Sequence, residues 1–145
     1  MSIWRTHPTL EELEQFSRNT LAEWLGIRVT EIGEDHLRAT MPVGVKTHQP
    51  MGVLHGGASV ALAETVGSLA AGLCIDRDKV TALGQDINAN HLRPVSSGLV
   101  TATARPFHIG KRSHVWGIEI CDERDKLVCV ARLTMAVVAR EPKTA

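Results

Sequence analysis

The chain carries no excess charge of either sign. Its 16 Lys and Arg balance 16 Asp and Glu, and the isoelectric point is near 7.1. That balance argues against non-specific binding to nucleic acid or to an anionic membrane as the main activity. Cysteine is scarce: Cys74, Cys121 and Cys129 are odd in number, widely spaced and form no CxxC pair. They read as reduced thiols of a cytoplasmic protein. The opening MSIWRTHPTLEELEQF lacks the apolar core of a secretory signal. No internal repeat or low-complexity stretch is present. No Ser-His-Asp arrangement and no metal-ligand spacing stands out, which argues against a triad or metal-dependent hydrolase. Aromatics are few, at 3% with no tyrosine.

Much remains. Hydrophobic residues are 43% of 145 and charged residues 22%, enough for one packed domain over residues 1–145. The most informative residue is Glu64. It is the only charged side chain in GGASVALAETVGSLAAGLCI, residues 56–75. An isolated carboxylate in apolar surroundings costs several kcal/mol even after relaxation. Carboxylates kept in such places often have a chemical task. The stretch is long enough to suggest a membrane span, but four glycines, two serines, a threonine and Glu64 favour a helix enclosed by protein.

Thr9 with Glu12, and Thr20 with Glu23, have the spacing of capping boxes, and Gly26 closes the second helix. Residues 27–42 alternate as a hairpin around Gly33-Glu34-Asp35. A loop leads through Met51-Gly52 to one long helix over 57–75. Its mid-helix glycines, Gly67 and Gly72, suggest close approach by another backbone. Strands are expected at 80–92, 98–108, 113–122 and 127–139, as a four-strand meander. The fold class is α+β, an antiparallel sheet with a helix on one face.

Gln49, His55 and Glu64 lie in one short window, and Ser68 shares the helix face of Glu64 four residues on. His55-Gly56-Gly57 opens the helix and could aim backbone N–H groups at a ligand. Each has a plainer reading: His55 as a helix cap, Gln49 as a loop residue bonding backbone, Ser68 as packing. Gly56 and Glu64 are eight residues apart, about 12 Å along a helix. One chain therefore cannot bring both to one reacting atom. If they cooperate, the partner group comes from a second chain across a two-fold axis.

The stretch THQPMGVLHGGASVALAETVGSLAAG, with IWR, LGI, INANHLRPV and HIGKRSHVW elsewhere, resembles the hotdog-fold acyl-CoA thioesterases of the PaaI-like type over nearly the whole chain. Within them the likeness is greatest to those that hydrolyse dihydroxynaphthoyl-CoA in menaquinone biosynthesis or proofread the enterobactin pathway. The resemblance implies a sheet wrapped around the long helix, side-by-side homodimers with shared active sites, and dimers paired into homotetramers. It implies Glu64 as the catalytic carboxylate and the Gly56 N–H as the group polarising the thioester carbonyl. Gln49 and His55 would hold the thioester from the opposite chain, and Ser68 would support water or the intermediate. Coenzyme A, part of the substrate, would meet Gly84, His91, Arg93, His108, Gly110, Lys111 and Arg112. No separate cofactor, nucleic acid or membrane is implied.

A solvated hairpin turn is the plainer reading of HIGKR. Close relatives often have phenylalanine where this chain has Met51; with so few aromatics overall, a range of aroyl and acyl groups is expected rather than one narrow aryl preference. Glu64 as base and Glu64 as nucleophile both remain open. A binding-only acyl-CoA sensor is the alternative from another class. A dehydratase of this fold would use an Asp/His pair at the helix.

Overall fold

The computed structural model describes residues 1–141. Two short helices, α1 (Leu10–Phe16) and α2 (Leu21–Trp24), precede a hairpin of β1 (Arg28–Ile32) and β2 (Leu37–Pro42). The long helix α3 (Gly56–Leu73) follows, then β3 (Val80–His91), β4 (Leu99–Ile109), β5 (Ser113–Cys121) and β6 (Leu127–Ala139). The six strands form one antiparallel sheet in the order β1-β2-β4-β5-β6-β3.

Alternation builds the core. Leu37, Ala39 and Met41 of β2 are buried with Val100, Ala102 and Ala104 of β4. Trp116, Ile118 and Ile120 of β5 and Leu133 and Met135 of β6 continue the same cluster. Leu62, Ala63, Val66, Ala70 and Leu73 of α3 belong to it too, so α3 is seated on this face. Small residues on both sides let helix and sheet approach closely. A Cβ on Gly67 would stand 2.7 Å from Leu133 Cδ2, and one on Gly72 would stand 2.6 Å from an Arg77 guanidinium nitrogen. The intruders are therefore side chains, where the sequence suggested another backbone.

The opening residues lock the far end of α3. Arg5 and Thr6 donate their N–H groups to the Leu73 carbonyl, at 2.8 and 3.1 Å. Buried Trp4 lies parallel to Trp116 and donates its indole N–H to Gly33 O at 2.6 Å. The Leu73 carbonyl, left without a partner within the helix, thus has both lone pairs engaged.

Two local expectations change. The box at Thr9 and Glu12 forms completely, at 3.1 and 2.7 Å. The one at Thr20 and Glu23 does not: Thr20 donates to Ser17 O, and the Glu23 carboxylate takes the Asn19 N–H, one residue early. Asn19 has a positive φ of 58°, which turns its N–H toward that carboxylate in place of Thr20's. The four-strand meander also fails. Among the described residues β3 lies at the edge and pairs only with β6, while β4 inserts beside β2. Residues 92–98 make the crossover, held where Leu54 N–H meets Val95 O at 2.7 Å and Val43 N–H meets Gly98 O at 2.8 Å. Those bonds fasten the loop before α3 to the end of the sheet.

Candidate active site

The N-terminus of α3 opens onto a cleft of about 360 Å³ lined by Gln49, Gly56, Ser59, His91 and Arg93. His55 caps the helix: its Nδ1 accepts the Gly57 N–H at 2.8 Å. The Ala58 and Ser59 N–H groups turn to the His55 carbonyl. The Gly56 N–H has no acceptor among the described residues. A free donor at the positive end of an 18-residue helix suits an oxygen gaining negative charge. Glycine lets the His91 ring lie close here, since a Cβ would stand 2.8 Å from His91 Nε2. The Gln49 side-chain oxygen accepts from Met51 N–H, so the plainer loop role is real in this chain; the side chain still lines the cleft.

Glu64 lies at the middle of α3, half-buried and in none of the ion pairs among the described residues. Its carboxylate rests against Gly84 of β3, where any side chain would displace it. Ser68, one turn on, donates its hydroxyl to the Met135 thioether at 3.7 Å. A thioether is a weak acceptor, so that hydroxyl is easily taken by a better one. Phe16 and Leu21, both largely exposed, stand over the same hollow as Glu64 and Ser68. The sequence reading did not single them out. The signal was there: two large apolar residues on short N-terminal helices whose buried positions, Leu13 and Ala22, are already taken.

The candidates along α3 thus fall into two separate groups, and the remaining ones divide between these and one further place. Gly84 belongs with Glu64, whereas His91 and Arg93 belong with Gly56. His108, Gly110, Lys111 and Arg112 surround the β4–β5 turn. That turn is level with Leu83, because Ser113 pairs with Ala136 and Ala136 with Leu83. His91 is eight residues further along β3, about 25 Å away.

Other titratable groups lie apart from both groups on α3. Burial first, then the nearby His108 charge, holds the buried His114 below the ordinary histidine value, against a hydrogen bond with the Gly110 backbone. Burial pushes the Cys74 thiol up to about 11, and raises Cys121 and Cys129 as well. These thiols are poor nucleophiles. No helix among the described residues is long and apolar enough to cross a membrane.

Residues 51–129 match the family model described as the thioesterase superfamily. The chain belongs to the thioesterase superfamily. The proofreading thioesterase EntH of Cronobacter turicensis is 50% identical over 136 residues, covering 94% of this chain and 98% of that protein. Among solved structures, a thioesterase of Haemophilus influenzae is 51% identical with a TM-score of 0.94, covering 99% of each chain. A mutant thioesterase of Pseudomonas aeruginosa is 48% identical, also at 0.94, covering 96% of this chain and 100% of that one. The sheet and central helix are those of the hotdog thioesterases, and this thioesterase is an enzyme that hydrolyses thioesters.

Proposed function

We propose that this thioesterase cleaves an aromatic acyl-CoA, of the dihydroxynaphthoyl type, or a medium-length acyl-CoA to the free acid and coenzyme A. The observation that carries the reading is the division of labour along α3. A free N–H at its N-terminus and a half-buried carboxylate beside a hydroxyl, both without a partner among the described residues, lie too far apart to serve one carbonyl. Both groups are what thioester hydrolysis requires.

The free edge of β3 supplies a way to join them. It is 12 residues long and pairs with β6 on one side alone. Two such edges paired antiparallel would continue the sheet and run two α3 helices in opposite directions. Gly56, Gln49 and His55 of one protomer would then face Glu64 and Ser68 of its partner. Dimers pairing into tetramers complete the assembly we envisage, in the cytoplasm.

In this reading the thioester oxygen accepts the Gly56 N–H, aided by Gln49 and His55. Glu64 takes a proton from water as its oxygen bonds to the carbonyl carbon. The tetrahedral adduct collapses, the C–S bond breaks, and the thiolate of coenzyme A leaves with the sulfur electrons. Direct attack by Glu64 would give an anhydride that water then opens. A single turnover in oxygen-labelled water separates the two, since only the anhydride route transfers an enzyme oxygen to the product. The antiparallel pairing would also bring the His91 end of one β3 to the Val80 end of the other. His91 and Arg93 of one protomer could then share a coenzyme A with His108, Gly110, Lys111 and Arg112 of the other, phosphates meeting cations and N–H donors.

Met51 is 85% exposed on the loop before α3. A flexible side chain there fits a broad range of acyl groups, in keeping with the proofreading name of the Cronobacter relative. The test is thiol release over a panel of aroyl- and alkyl-CoA esters. Turnover ranked by acyl group supports the reading. Saturable binding without free thiol would point to a sensor and overturn it.

A further inference from the structure

The hollow over Glu64 does not end at Ser68. It shares Phe16, Ser68 and Leu69 with a second hollow that runs on toward the C-terminus of α3. The two measure about 310 and 400 Å³. From Glu64 to Gly72 is eight residues, about 12 Å of groove along the helix. That is room for one or two fused rings. β3 contributes Val80 and Ala82 to one wall.

The far end of this groove carries positive charge. The Arg77 guanidinium carbon lies 5.5 Å from the centre of the Phe16 ring. Its Nε donates to the Gly72 carbonyl at 3.0 Å, which fixes the group across the helix end. The absence of a side chain on Gly72 is what lets it lie there. Arginine has five N–H donors in a rigid fork. One is spent on Gly72, and the terminal nitrogens meet no acceptor among the described residues. Arg77 is in none of the ion pairs among them either, since neighbouring Asp76 is taken by Arg5 and Lys79.

We propose that Phe16 and Arg77 form the distal end of the acyl groove, and that Arg77 selects acyl groups bearing a hydrogen-bond acceptor there, such as a ring hydroxyl or carboxylate. Phe16 packs beside the guanidinium and covers the ring of the acyl group. The free terminal nitrogens then meet the acceptor about two helical turns from the reacting carbon. This rests on the acyl-CoA reading above and adds the chemistry of the acyl end. Arg77 stands remote from the scissile bond, so it acts on selection and leaves the chemical step alone.

The experiment compares thiol release from 2-naphthoyl-CoA, 6-hydroxy-2-naphthoyl-CoA and 6-carboxy-2-naphthoyl-CoA, whose two rings and a hydrogen bond span the groove, by wild type, Arg77→Ala and Arg77→Lys, with a thermal melt of each. The expected result is a loss of about tenfold or more in kcat/KM on the two substituted esters in Arg77→Ala, mostly through KM. 2-Naphthoyl-CoA should change little, and Arg77→Lys should recover part of the loss on the carboxylate. An active wild type with the same substrate ratios in Arg77→Ala overturns the proposal alone. Equal losses on all three esters with a lowered melting temperature also overturn it, leaving Arg77 as a cap of α3. A wild type that releases thiol from none of the esters removes the acyl-CoA reading and this selection with it.

Discussion

The two stations on α3 differ in almost every physical respect. The N-terminal one is built from backbone: a free N–H, a histidine cap and a cleft with Gln49, His91 and Arg93. The mid-helix one is built from side chains: a carboxylate against Gly84, a weakly bonded hydroxyl and an apolar wall. One can stabilise negative charge; the other can take a proton. The rigid rise of a helix keeps them apart. The comparison teaches that one helix can carry two chemically different groups and, by its own rise, hold them apart.

Removing the mid-helix carboxylate should have the largest effect. Glu64→Gln keeps the shape and should lower kcat by about 10²–10⁴-fold, the range for a lost general base. Near-normal turnover in a folded Glu64→Gln protein would dissolve the contrast. At the other station, Gln49→Ala and His55→Ala should each lose about 2–4 kcal/mol of transition-state stabilisation, read from kcat/KM. An effect on KM alone would make those residues plain binding groups.

Gly84→Ala probes the carboxylate by displacement. The added methyl occupies the space of the Glu64 oxygens, and misplacement near 1 Å can cost about 10²-fold in rate. Unchanged activity would mean the carboxylate is free to move. Mixing tests whether the stations belong to different chains. Glu64→Gln and Gln49→Ala proteins, unfolded and refolded together, should recover about a quarter of wild-type turnover. Half of randomly paired dimers are mixed, and each holds one intact site. No recovery would place the whole site within one protomer.

The smallest effect concerns stability away from both stations. The folded protein resists protonation of His114, while the unfolded chain takes that proton near 6.5. Stability is therefore full above about 6.5 and falls as the pH drops below it. Glu31 and Asp35, lowered first by their hydrogen bonds to His36, and Asp122, lowered first by the Lys126 backbone N–H, act in the same direction further down. Their stabilisation is present above the ordinary carboxylate values and is lost as the pH falls through their lower folded ones. Thermal melts from neutral to acid pH should show two steps, and His114→Asn should remove the first.

Glu64 was legible because a lone charge in 20 otherwise uncharged residues is an energetic exception that any apolar setting exposes. The helix, the strands and Thr9 as a cap were legible for a similar reason, since periodicity and local hydrogen bonds lie within a few residues. The position of β3 was not. Alternation tells a strand which face to bury and says nothing about its neighbour, so the crossover at 92–98 was invisible. The Glu23 side chain was misassigned by one residue because the positive φ of Asn19 is not written in the spacing.

By itself the sequence determined the chemical inventory and the arithmetic that separates it along a helix. Composition and local spacing suffice for that, because a helix has a fixed rise. Only the tertiary structure decided what each group faces: Glu64 on Gly84, His91 on Gly56, Phe16 and Leu21 over the carboxylate, Arg77 across the helix end. Those contacts join residues far apart in the chain, and their geometry is set by where the strands are placed around α3.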